Sequence, residues 1–211
     1  MPEFTPSERA LLQQVRALVA SANAANPKQI GGNGETLTAG NGAKLIGGEE
    51  ATLTGGHAST LIGGDYAKLT GDAGAKLTGG YRSTLVADDY STLTAGHYST
   101  LTAGDESTLT AGDESTLTAG YEATLTAGDD STLVGGGRAT LIGGAGSTFA
   151  GGENATFVVC LSPTAMSRRT VVTGVVGEGG LLPDVPYRLV DDRWILQDGD
   201  ARALNQKEDG R

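Results

Sequence analysis

The amino-acid sequence predicts an all-β protein, a parallel β-solenoid of about eight sixteen-residue coils over residues 31–158. Three observations carry this. From Gly31 the chain divides into sixteen octets with no insertion or deletion, on the template (A/G)-G-x-x-(S/A)-(T/K)-L-(T/I/V). The seventh position is Leu in fourteen octets and Phe in the last two, Phe149 and Phe157. Aromatic residues make up only 5% of the chain while Gly numbers 34, which rules out a core built on large rings and points to a thin, repetitive one.

The octet also assigns directions. Successive side chains of a strand point to opposite faces. In Ser-Thr-Leu-Thr the small residue and Leu therefore share one face and the two Thr share the other. Leu must be buried, so the Thr pair points out. The Gly-containing pair ahead of the strand turns the corner, where positive φ and close backbone approach favour Gly. One octet supplies one strand and one corner, so two are needed to close a coil. The expectation is two parallel sheets back to back across a core of Leu with Ala or Ser. At about 4.8 Å per coil the rod should be roughly 40 Å long.

A rod has two open ends, and both need covering. Residues 1–30 are read as an N-terminal helical cap. Thr5-Pro6-Ser7-Glu8 has the form of a capping box, and Leu11, Leu12, Val15, Leu18 and Val19 make one apolar helical face. Residues 159–198 are read as a small β-rich C-terminal cap, with two or three short strands joined by Gly and Pro turns. Residues 199–211 are read as a polar, flexible tail.

Charge narrows the functional classes. Residues 31–158 carry 15 Asp and Glu against 5 Lys and Arg, and the remainder of the chain is balanced, so the formal net charge of −10 sits on the repeat. A surface this acidic argues against nucleic acid or an anionic membrane as partner. No stretch has the length and apolarity of a membrane-spanning helix, and no signal-peptide core is visible near the N-terminus. Cys160 is the only cysteine, which excludes an intrachain disulfide and a Cys-based metal site. Catalysis finds no support, because His57 and His97 fall on opposite edges of the expected rod and no nucleophile–base grouping or nucleotide loop appears. Acidic corners such as Asp105-Glu106 and Asp129-Asp130 bring calcium to mind. The calcium-binding β-roll, however, requires a nine-residue period. No cofactor and no metal are expected.

Stacked coils turn outward Thr pairs into ladders. One face carries Thr92 and Thr94, Thr108 and Thr110, and Thr124 and Thr126 on successive coils. The other carries Thr100 and Thr102, then Thr116 and Thr118, with Thr36, Thr38, Thr52 and Thr54 nearer the N-terminal end. Each Thr places a hydroxyl that donates and accepts beside a methyl that does neither. β-Branching leaves few rotamers, so the array is rigid before anything binds. Its spacings, about 4.8 Å between coils and about 6.7 Å along a strand, lie close to oxygen repeats of the ice lattice. Such a surface can hold water in an ordered pattern at little entropic cost. The bland alternative is that Thr suits any exposed strand.

The octets, paired into sixteens, resemble the central domain of the bacterial ice nucleation proteins, which repeats AGYGSTLT-type units. TGVVGEGGLLPDVPYRLVDD (173–192) is similar to that family's C-terminal cap. The resemblance implies a β-solenoid with water-organising Thr-x-Thr motifs, self-association into multimers and a place on the outer surface of the bacterial outer membrane. It carries the water- and ice-binding role to the Thr pairs just named. Family members have many tens of coils, whereas eight are read here. The family's regular Tyr at the third octet position is irregular, since Tyr81 and Tyr121 hold that slot while Tyr66, Tyr90 and Tyr98 sit one place later. The family's N-terminal membrane-associated domain has only the short helix in its place. Early lysines (Lys44, Lys68, Lys76) and the acidic corners are complementary in charge and could join copies. The rival reading is an acidic solenoid that binds a basic protein with the Thr rows as neutral scaffold, and a third is a passive spacer.

Overall fold

The computed structural model describes residues 28–161, 170–191 and 193–196. The helix expected over 5–24 and the tail over 199–211 lie outside the described residues. Among them, strands follow one another at the octet period. β1 is Lys28–Ile30, and β2 to β13 are three-residue strands, one per octet, from Thr36–Thr38 to Thr124–Thr126. Four longer strands follow, β14 (Thr132–Gly135), β15 (Thr140–Gly143), β16 (Thr148–Gly151) and β17 (Thr156–Leu161). β18 (Thr170–Val175), β19 (Tyr187–Val190) and β20 (Arg193–Leu196) complete the set.

The strands sort by parity into two ten-stranded sheets. One runs β1-β3-β5-β7-β9-β11-β13-β15-β17-β18 and the other β2-β4-β6-β8-β10-β12-β14-β16-β19-β20. Neighbours through β17 and β16 are parallel and pair at an offset of sixteen residues, as with Leu93, Leu109 and Leu125. The solenoid of about eight coils is therefore the observed fold. Leu45 through Leu141 at the seventh position are buried, together with the Ala or Ser two places earlier, and form one continuous core between the sheets. Leu37, on the first coil, is only partly buried.

β1 extends the solenoid below the first octet. It pairs with β3, although its Lys-Gln-Ile lacks the inward Leu that defines the repeat. At the other end each sheet closes with antiparallel strands: β18 on β17, and β19 then β20 beyond β16. Here rings replace leucines. Phe149, Phe157, Tyr187 and Trp194 are buried against one another with centroids 5.5–6.5 Å apart. Larger rings fill a core whose next layer is no longer another Leu rung, and the reversed strand direction stops further parallel addition.

The corners obey a rule different from the one expected of their glycines. Positive φ falls on the fourth octet position, where twelve of sixteen octets carry a non-glycine residue, including Glu50, Tyr66, Arg82, Glu114 and Arg138. Many second-position glycines answer a need for space instead, although Asp72 and Asp88 hold that slot in two octets. A Cβ on Gly104, Gly120 or Gly128 would run into Asp89, Asp105 or Asp113 of the preceding coil.

Candidate functional site: two outward threonine arrays

Three side-chain and backbone ladders make the outer faces stiff. The first lies inside. Ser99 Oγ accepts from the backbone N–H of Ser83 at 3.2 Å, and the pattern repeats from Ser91 to Ser107, Ser99 to Ser115, Ser115 to Ser131 and Ser131 to Ser147. Most of these hydroxyls in turn donate to a carbonyl oxygen, as Ser107 does to Asp105 at 3.2 Å. The second runs along the corners. The third-position side chain accepts the third-position N–H of the next coil: Asp89 from Asp105, Asp105 from Tyr121, Asp113 from Asp129. His97 takes the same role through Nδ1, accepting from Asp113 N–H at 2.9 Å. Its Nδ1 also lies 3.3 Å from the Asp113 carboxylate. Acceptance from N–H requires the lone pair on Nδ1, so we read this contact as part of the ladder rather than as an ion pair. The third ladder is the backbone itself, with N–H groups at positions one, two, four and six bonded to carbonyls of adjacent coils. Side chains at positions three and five thus satisfy the N–H groups that the coil's own backbone leaves over.

On this frame the expected Thr pairs stand in register. Thr92, Thr108 and Thr124 form one column of the odd-numbered sheet, and Thr94, Thr110 and Thr126 the other. All six are exposed except Thr126, which is half-buried. On the even-numbered sheet Thr100 stacks on Thr116 and Thr102 on Thr118.

The remaining four threonines, Thr36, Thr38, Thr52 and Thr54, lie on the even-numbered sheet nearer its N-terminal end, as expected, and apart from Thr100, Thr102, Thr116 and Thr118. Thr36 stacks on Thr52 and Thr38 on Thr54, which makes a separate patch of two full rungs. Thr54 is exposed, and its column continues only to Thr70 before Val86 breaks it. Thr52 is half-buried, and its column is broken at once by Lys68. The physical reason is that a ladder needs Thr every sixteen residues without a gap. Lys68 and Val86 put a long cation and a bare hydrocarbon where hydroxyls would have to continue. Thr54 therefore lies on the same sheet as Thr102 and Thr118 but outside their array.

Reading whole octets also missed members that reading down the columns recovers. Thr78 continues the Thr94 column, and Thr140 and Thr156 continue the Thr124 column. Thr84 and Thr132 flank Thr100 and Thr116 on the other sheet. They belong to KLT, TLI, TFV and TLV octets, so only one side chain of each pair is Thr. The odd-numbered sheet consequently has the longer array: three full rungs, with four Thr in one column and five in the other. Its ends are marked by Lys76 and Ile62 on one side and by Ile142 on the other.

The edges are polar and aromatic. Tyr66, Tyr81 and Tyr98 stack edge to face at 5.8 and 5.3 Å although they occupy different octet slots, and the Arg82 guanidinium lies 5.3 Å from the rings of both Tyr81 and Tyr98. Tyr98 donates its hydroxyl to Glu114 at 2.7 Å, and this bond and the carboxylate charge hold its phenol above the usual tyrosine range. On the opposite edge Arg138 pairs with Glu122 at 3.1 Å and donates to the Tyr121 hydroxyl. Among the described residues, no group of three or more His, Cys, Asp or Glu side chains is arranged to hold a metal ion. No described helix is long and apolar enough to cross a membrane.

Fold and site together define a repeat β-solenoid with register-matched Thr arrays on both sheets. Comparison with protein-family models, with curated proteins and with solved structures finds no match to this chain.

Proposed function

We propose that the protein binds ice and orders ice-like water through its Thr columns, with the odd-numbered face as the stronger template, and that assemblies of it nucleate freezing. The observation that carries this reading is the in-register stack of Thr92/Thr94, Thr108/Thr110 and Thr124/Thr126 on three consecutive rungs. Side chains fixed by β-branching stand on a sheet whose corners and interior are hydrogen-bonded from coil to coil, so the array presents hydroxyls and methyls without first having to be ordered. The array is small. Three rungs span about 10 Å between the first and the last, which suits weak ice binding by one molecule and nucleation only where several templates adjoin. The detached patch at Thr36, Thr38, Thr52 and Thr54 is smaller still, and contributes least.

The test is droplet freezing across a protein concentration series, with the Thr108→Lys/Thr110→Lys variant alongside. The column of Thr108 already accepts Lys at Lys44 and Lys76, and Thr110 is exposed, so both substitutions leave the core untouched. Wild type should raise the freezing temperature above buffer, increasingly so when concentrated, and the variant should not. Equal freezing of wild type, variant and buffer at every concentration would remove the ice reading.

One observation favours the second reading, an acidic interaction module. Ten of the twelve non-glycine octet residues at positive φ are charged or aromatic, so the edges keep such side chains against backbone preference, a pattern associated with functional surface. Under that reading Asp and Glu substitutions abolish binding to a basic partner and Thr substitutions do not.

A further inference from the structure

The edge that leads into the odd-numbered strands changes character halfway along the rod. In its first half the corners are neutral or nearly so (Asn41-Gly42, His57-Ala58, Ala73-Gly74), and the adjoining strand column presents Lys28, Lys44, Thr60 and Lys76. The three lysines are exposed, and the described residues give none of them an ion pair. One acid, Asp72, lies among them. In the second half the same column is Thr, and the corners present Asp88-Asp89, Asp105-Glu106 and Glu122, also exposed; Arg138 lies in this half too, paired with Glu122 at 3.1 Å, and the other four acids stay in excess. The edge is therefore a strip with a positive half and a negative half.

From this we infer that two copies join side by side and antiparallel along this edge, about a two-fold axis at the β7 rung (Lys76–Thr78). Both rods have the same rung spacing, about 4.8 Å, so charges matched at one rung stay matched at the next. Counting rungs from the observed register, Lys44 meets the partner's Asp105 and Glu106, and Lys28 meets the partner's Glu122, which it shares with that copy's own arginine on the next rung. His57 faces the partner's Asp88 and Asp89, and Lys76 faces the partner's Asp72. Each contact occurs twice, which closes the assembly as an isologous dimer. With the axis normal to the sheets, both odd-numbered faces lie on the same side and their Thr arrays adjoin. The inference supplies the contact for the self-association in the reading above and rests on it only there: the dimer and the water template are measured separately.

Sedimentation equilibrium of the full chain at low and high salt tests it, with far-UV circular dichroism to confirm that each variant keeps its sheet. Wild type should be a dimer at low salt and weaken at least tenfold in 0.5 M salt, where charges are screened within about 4–5 Å. Lys28→Glu/Lys44→Glu and Glu106→Lys/Glu122→Lys should each be monomeric, and an equimolar mixture should recover the dimer, because only the mixed pair has opposite charges at both copies of the contact. Neither variant touches the Asp acceptor ladder. A wild type that is monomeric at low salt overturns the proposal, as does growth into open filaments or a mixture that stays monomeric. Freezing activity is scored apart: a dimer that fails to nucleate leaves the interface standing and removes the water template.

Discussion

At the scale of single residues, the fifth octet position shows how one atom changes sign with its neighbours. Ser107 Oγ accepts from Ser91 N–H at 3.1 Å and donates to carbonyl oxygens, whereas the buried Ser59 Oγ has no hydrogen-bond partner. Removing a satisfied hydroxyl leaves groups unpaired, and removing an orphaned one relieves a desolvation cost. Ser107→Ala should therefore destabilise the rod by about 1 kcal/mol and Ser59→Ala should be neutral or stabilising, by up to about 1 kcal/mol. Urea unfolding midpoints compare the two directly, and equal shifts would contradict the ladder.

At the scale of one coil, the corner is held by a side chain that reaches the next coil. Asn33, Asn41, Asp65, Asp89, Asp105, Asp113 and Asp129 all accept a backbone N–H sixteen residues on, and His97 substitutes for them. Asn offers the same acceptor, and Leu offers none. His97→Asn should leave amide exchange at Asp113 unchanged, while His97→Leu should speed it severalfold with little change in global stability. The site is exposed, and a bond there competes with water. Hydrogen exchange followed residue by residue reads this out. A protected Asp113 amide in the Leu variant would show that the bond is not what holds the corner.

At the scale of the whole rod, coils contact only their neighbours, so length is a free variable. Inserting a copy of residues 103–118 after Thr118 adds one complete coil and one Thr-x-Thr rung to each face, without changing any register. Such a variant should fold with unchanged or higher stability and freeze droplets at a higher temperature than wild type at equal molar concentration. Droplet freezing beside thermal unfolding checks both halves. Unchanged freezing in a folded, longer rod would separate template area from activity.

The sequence by itself determined the repeat, the inward Leu, the outward Thr and the pairing of octets into coils. All of these follow from a period of eight and the alternation of a strand, which are local properties. Tertiary structure decided what depends on residues sixteen apart. Positive φ falls on the fourth octet position, held by Glu50 or Tyr66 as well as by glycine, while many second-position glycines make room for the close approach of the neighbouring coil. Tyr66, Tyr81 and Tyr98 meet despite different slots, since an edge brings third and fourth positions of successive coils within ring contact. β1 joins a sheet without a Leu, because pairing to β3 needs backbone groups and not the repeat's side chains. Thr54 sits in a full TLT octet and still falls outside the array of its own sheet, while Thr84 and Thr132 extend that array from partial octets, and Thr78 and Thr140 extend the one on the other sheet. Membership of a template is a property of columns, and columns exist only once the chain has coiled.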